Sequence, residues 1–183
     1  MMRLKKAIRN LLVLAVLVFL FMKFNGLYFS PVQALHASER DLHFGPSEIV
    51  HSFDYDNSRI FLTRYENLIS CPPIDRFLGV FWRYGAGHGI GNDPERPLFF
   101  SYRSQEDNWL VYGIRNDPSI THVEVEVRSS ADGDAMILSS DEFYEDMFYV
   151  MWKVENEDHL AIDLISYVTA YDAMDNVVYE TEF

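Results

Sequence analysis

The sequence predicts a mainly β protein: an N-terminal transmembrane helix, a short juxtamembrane helix, and then an antiparallel β-sandwich-like domain. Three observations predict it. Leu11 to Met22 runs for twelve residues without a polar side chain. Beyond it lies a succession of short stretches rich in Val, Ile, Phe, Tyr and Trp, separated by clusters of Asn, Asp, Gly and Pro, the pattern of strands and turns. Of the 183 residues, roughly 150 follow the apolar region, enough for one domain with a core of its own.

The apolar run alone is short for a membrane, since twelve helical residues cover only about 18 Å of a hydrocarbon layer about 30 Å thick. Extended to residues 7–29 it reaches spanning length. Arg9 and Asn10 then lie at one interface, Lys23 reaches outward along its own stem, and Tyr28 and Phe29 lie at the other interface, where aromatic side chains are favoured. Arg3, Lys5, Lys6 and Arg9 precede the run, whereas only Lys23 and Arg40 closely follow it. This cation bias places residues 1–6 in the cytoplasm as a basic segment and the remainder outside. The expected location is therefore the cell membrane, single-pass, with the lipid bilayer as first partner. The alternative is a cleavable secretory signal with Val32-Gln33-Ala34 as its small-residue site and a secreted product beginning near Ala34.

Residues 30–46 read as a juxtamembrane helix. Ser30 is an N-cap with Pro31 at the first helical position, and Gly45-Pro46 closes the stretch. Val32, Leu35 and Leu42 form its apolar side, with Glu39, Arg40 and Asp41 expected to be exposed. His36, Arg40 and His43 share a face.

Residues 47–183 form the expected extracytoplasmic β domain. Nine strands are predicted: 48–53, 59–65, 77–84, 98–102, 109–115, 122–128, 147–154, 160–171 and 177–182. In Val123-Glu-Val-Glu-Val-Arg128 the valines take one face and Glu124, Glu126 and Arg128 the other, so one side of that strand is wet. Phe77 to Trp82 and Met147 to Trp152 are apolar throughout, as for strands covered on both faces. Ser139-x-x-Glu142 reads as a capping box opening a helical turn near 140–146, and the end of the chain reads as a hairpin through Asp172 to Asn176.

Composition narrows the function. All 28 acidic residues lie from Glu39 onward, and the part beyond residue 29 carries ten Lys and Arg against them, a balance of −18. Such charge disfavours nucleic acid and an anionic membrane surface as partners, and it keeps the domain soluble and detached from lipid head groups. With one cysteine, Cys71, an intramolecular disulfide is impossible, and the thiol is expected to be buried and unreactive.

No stretch carries catalytic spacing. The loop from Tyr84 to Pro94 has glycine at 85, 87, 89 and 91 around His88, so Gly87, His88 and Gly89 are the ligand-loop candidates, where a backbone can approach a bound group closely. The series lacks the phosphate-binding and dinucleotide-binding patterns, and reads first as a hairpin tip. Asp132 and Asp134 head an acidic neighbourhood with Asp141, Glu142, Glu145 and Asp146, an oxygen-rich setting for Ca²⁺ that lacks the twelve-residue loop pattern. Glu155, Glu157 and Asp158 form a second one. The six histidines show no zinc spacing, there is no G-x-S-x-G, and no cofactor is expected. Trp82, Trp109 and Trp152 fall in strand stretches, where core packing is the commoner role.

Asn25-Gly-Leu27, Ala37-Ser-Glu-Arg40, Phe44-Gly-Pro-Ser-Glu-Ile-Val50, Tyr112-Gly-Ile-Arg-Asn-Asp117 and Glu142-Phe-Tyr-Glu-Asp-Met-Phe148 together resemble a set of small, N-terminally anchored extracytoplasmic proteins of Gram-positive, Bacillus-like bacteria. The resemblance implies a bacterial cell-membrane location and carries over no catalytic residue. The expected function is a binding or interaction module, without catalysis, whose partner is another envelope or membrane protein. The alternatives are an anchored envelope hydrolase using carboxylates and His88, and a Ca²⁺-dependent surface domain.

Overall fold

The structure, a computed structural model, describes residues 2–85, 87, 89–105, 108–128, 134–153 and 165–182. It is mainly β, with two helices and thirteen strands among these residues. The chain divides into two compact units, where the sequence suggests one domain over 47–183. The first comprises residues 1–47, 52–61 and 72–88, and the second 48–51, 62–71 and 89–183.

In the first unit, α1 (Met2–Phe24) is continuously helical, and Leu4–Phe24 is long and apolar enough to cross a membrane. The helix stops at Phe24 and does not run on to residue 29. Gly26 takes a left-handed φ of 60°, the Asn25 side-chain amide donates to the Phe21 carbonyl, and Leu27 turns back to bond the Met22 carbonyl. Helix α2 (Pro31–Leu42) begins at Ser30 with proline at its first turn, as expected, and ends on His43 in the left-handed conformation (φ 56°).

The buried face of α2 is Ala34, Leu35, Ala37, Ser38 and Glu39. Val32 and Leu42 are exposed, so the expected apolar side is corrected to the face that carries Ala34, Leu35 and Ser38, and Glu39 is corrected from exposed to 4% exposed. Small residues let the helix lie close on strands β4 (Pro73–Phe77) and β5 (Phe81–Tyr84). The buried Glu39 carboxylate is satisfied there by the Ser47 hydroxyl and by His36 Nδ1 at 2.8 Å.

The stretch Phe77 to Trp82, expected as a strand covered on both faces, is instead a hairpin tip. Phe77 pairs with Phe81, and the loop between them places Leu78 (φ 51°) and Gly79 (φ 73°) in the left-handed region. An apolar run cannot reveal such a turn by periodicity, and Gly79 is its one sequence signal. Strands β1 (Glu48–Tyr55) and β2 (Ser58–Tyr65) belong partly to each unit, and β1 pairs β2. Ser58 to Ile60 pair with β4 in the first unit; Thr63 to Tyr65 pair with β3 (Leu68–Ser70) in the second, where β6 (Ile90–Gly91) pairs β3 in turn.

The second unit is a sandwich of two antiparallel sheets. One has the order β10-β9-β12-β13, from β9 (Ile120–Arg128), β10 (Ala135–Ser140), β12 (Ile165–Asp172) and β13 (Val177–Glu182); the other is β11-β8-β7, from β7 (Leu98–Gln105), β8 (Asn108–Arg115) and β11 (Met147–Lys153). Val123, Val125 and Val127 are fully buried, meeting Val111, Phe148, Val150 and Trp152 of the facing sheet in one core. Burying one such aliphatic side chain contributes about 1.5–3 kcal/mol. This core carries the unit without a disulfide: Cys71 is free and buried.

The helical turn expected near 140–146 is absent. Ser139 and Ser140 end β10, and Glu145 and Asp146 have φ of 46° and 72°, which no right-handed helix accommodates. Tyr144 and Met147 close a tight bridge there. The closing hairpin is present: the Asp172 carboxylate accepts from the backbone N–H of Met174 and Asn176 at 2.8 and 2.9 Å. The Asn176 side-chain amide, with these backbone donors, lowers its pKa.

Candidate functional site

The wet face of the four-stranded sheet follows from the alternation in β9. With the valines turned inward, Glu124 and Glu126 point outward. Register then builds rows across the sheet. Glu126 stands opposite Tyr167, which stands opposite Glu182. Glu124 stands opposite Thr169, which stands opposite Glu180. His122 stands opposite Tyr171, and their rings stack at 4.6 Å. With strands about 4.8 Å apart, the carboxylates of one row are about 10 Å from each other across the middle strand.

A shallow cleft of about 220 Å³ opens here, with Glu124, Glu126 and Glu180 around Tyr167, Thr169 and Tyr171. The Tyr171 hydroxyl donates to Glu124 at 3.0 Å. The pKa of Tyr171 is raised, first by desolvation and then by Glu124; that of Tyr167 is raised first by the charge of Glu182. Among the described residues, none of Glu124, Glu126, Glu180 and Glu182 has a cationic partner. The face therefore offers unneutralised carboxylates and phenol edges, the chemistry that receives ammonium or guanidinium groups.

A second cleft of about 400 Å³ lies beside β10 and β11, with Ser140, Asp141, Glu142, Tyr144 and Tyr149 in its wall. The Tyr144 hydroxyl donates to Glu142 at 2.5 Å, and this bond is the main cause pushing its pKa up to about 12. His51 stacks on Tyr144 at 3.6 Å and lies 6.2 Å from Tyr149. Desolvation lowers the His51 pKa against the opposing charge of Glu142, so the imidazole is neutral at pH 7.

Compared with protein-family models, curated proteins and solved structures, the chain matches none.

Of the loop candidates, Gly87 and Gly89 line neither cleft. Gly87 is buried, and a Cβ added there would make ordinary van der Waals contact, 3.4 Å from Pro72 and 3.6 Å from the Ser38 hydroxyl. Gly89 is half-buried, and Ile90-Gly91 pair with β3. His88 and Asp132 lie outside the described residues, as do Glu155, Glu157, Asp158 and His159. Asp134 is exposed.

The other acidic residues of that neighbourhood are engaged separately: Glu145 with Arg64 at 3.1 Å, Asp146 with Arg115 at 3.0 Å, and Glu142 with Tyr144. Among the described residues no group of three or more His, Cys, Asp or Glu is placed to hold a metal ion. Burial pushes the Cys71 thiol up to about 12, despite Arg103, which donates to the Cys71 carbonyl at 2.6 Å. Such a thiol is no nucleophile at neutral pH.

Sequence reasoning found Glu124 and Glu126 but not their neighbours Tyr167, Tyr171, Glu180 and Glu182. Tyr167-x-Thr169-x-Tyr171 and Glu180-x-Glu182 each carry period two, a usable signal. Which strands stand side by side is a property of topology that the sequence does not print.

Proposed function

We propose that this protein is a single-pass module anchored in a cell membrane, which holds its β sandwich outside the cytoplasm to bind a cationic surface of another envelope or membrane protein, without catalysis. The observation that carries the reading is α1. Its apolar window spans Leu4 to Phe24 with only 6% of it buried, and a helix that is apolar all round and uncovered by its own fold belongs in lipid. The cations at Lys5, Lys6 and Arg9 support a cytoplasmic N-terminus, and the carboxylate rows on the sandwich supply the binding surface.

The test is membrane partition with intact mass after expression in a Gram-positive bacterium. The reading expects a chain that keeps its first residues and stays in the membrane after an alkaline wash. A soluble product beginning after Ala34 would show that the helix is a removed signal, and the anchored reading would fail.

A further inference from the structure

The β4–β5 hairpin carries a feature that its own fold does not use. Its tip, Phe77-Leu78-Gly79-Val80-Phe81, leaves Leu78 74% and Val80 62% exposed. Leu78 also sits at φ 51°, a conformation that costs an L-residue free energy and that turns ordinarily assign to Gly, Asn or Asp. A large apolar side chain is thus kept, against local preference, at a position facing solvent.

The tip is tied to the end of α1 within a few residues. Tyr28 and Trp82 exchange both backbone hydrogen bonds, at 2.8 and 2.7 Å, so the chain leaving the helix becomes a neighbour of β5. Phe29 then meets Phe81, with ring centroids 5.4 Å apart and ring planes tilted by 49°. Phe29 is itself 68% exposed and closes one end of an apolar groove along the helix flank, beside Val18, Phe19 and Met22. It therefore lies back along the apolar flank of α1, with Phe81 against it.

Around this apolar tip stand cations and amphipathic rings. Arg76 and Arg59 flank the Trp82 ring at 4.8 and 5.8 Å, and Arg83 lies 5.8 Å from Phe77. Tyr28 and Tyr84 lie 6.1 Å apart. Tyr, Trp and Arg at this level are the composition of a bilayer interface.

Charge is divided to match. Beyond residue 29 the first unit holds four arginines against five carboxylates, whereas the second holds six Lys and Arg against 23 Asp and Glu. The unit bearing the hairpin is nearly neutral and meets little repulsion from anionic head groups.

We infer that the β4–β5 tip is a second membrane contact: Leu78, Val80 and Phe81, with Phe29, enter the outer interface of the bilayer that α1 crosses. The inference rests on the anchored reading of α1. Two contacts on one compact unit fix its tilt at the surface, which a single helix followed by a turn leaves free.

The full chain is placed in bilayers of phosphatidylglycerol and phosphatidylethanolamine, with an environment-sensitive fluorophore at Leu78→Cys, at Val16→Cys within the helix, or at Met174→Cys in the closing hairpin. The buried Cys71 does not compete for the label. Quenching by nitroxide lipids and by aqueous iodide is then compared. The expected result is lipid quenching at both 16 and 78, deeper at 16, with iodide quenching at 78 several-fold below that at 174. A label at Val80→Cys reads the same tip if the turn rejects one at 78. Lipid quenching at 16 combined with iodide quenching at 78 and 80 equal to that at 174 overturns the second contact and leaves the anchor standing. Absence of lipid quenching at 16 overturns both.

Discussion

Gly113 in β8 shows how little room single residues have in this sandwich. A Cβ there would clash with the Phe99 carbonyl oxygen and lie 2.7 Å from both Phe100 Cβ and a Phe148 ring carbon. The first of these atoms is backbone in the paired strand β7 and cannot step aside. Gly113→Ala is therefore expected to destabilise the protein by about 3 kcal/mol, lowering the thermal midpoint by roughly 6–12 °C at this chain length. Differential scanning calorimetry in detergent checks it, and an unchanged midpoint would contradict the close pairing of β7 and β8.

His51 supplies a prediction in pH. Its pKa is lowered in the fold, first by desolvation, so the unfolded chain binds the proton more readily. The stability that the neutral ring contributes is fully present above the unfolded pKa near 6.5 and is lost as pH falls from there through the folded value. His51→Phe keeps a ring against Tyr144 and removes the titration. Between pH 7.5 and 5 the midpoint of the wild-type protein should fall more than that of the variant. Asp54, Asp117 and Asp172 have pKa values below 3.8, so their protonation lies outside this window. Parallel curves would show that the stacked histidine does not sense pH.

At the scale of elements, the carboxylate rows of β9, β12 and β13 make a binding prediction. Glu124→Gln, Glu126→Gln and Glu180→Gln together remove three charges and preserve shape and register. If this face receives a cationic partner, the triple variant should bind a polylysine peptide several-fold more weakly than wild type. The wild-type affinity should also fall steeply with added salt, since exposed charges are screened within about 10 Å at 0.1 M. Equal binding by the two proteins would move the interaction elsewhere on the acidic unit.

How far the elements could be read beforehand depends on what set each one. The valine alternation of β9 reports directly which face is buried, and it was legible because one side of its sheet is wet. The membrane-length helix was legible because lipid imposes length and apolarity together; its end at Phe24 was not, because a turn at Asn25-Gly26 and continued apolar residues compete for the same segment. Phe77 to Trp82 differs from its expected double-faced strand because an apolar run has the same composition whether it crosses a core or forms an exposed hairpin tip, as Leu78 and Val80 do here. The short strands β3, β4, β6 and β10 escaped notice because pairing, and not pattern, makes them strands. The Glu124 face was half legible, since its own strand announces it while Tyr167 and Glu180 join only through topology. Glu39 was misread because a carboxylate on a helix is usually solvated, and the donors from Ser47 and His36 that permit its burial are invisible in a pattern of apolar residues.

On the scale of the whole molecule, the division of charge is the organising fact. The chain places its excess of carboxylates in one unit and leaves the unit beside α1 almost neutral. This distribution suits a protein held at a membrane by one part and offered to a cationic partner by another. On the proposed anchored reading, the basic residues before the apolar run and the acidic ones after it favour the same orientation, with the N-terminus inside. The most direct measurement adds protease to intact protoplasts expressing the chain with an epitope at each end, and follows the two epitopes separately. The account predicts that the C-terminal epitope and the β sandwich are lost to external protease while the N-terminal epitope stays with the membrane, protected until the protoplasts are lysed. Survival of the C-terminal epitope until lysis would place the acidic unit in the cytoplasm and contradict the account.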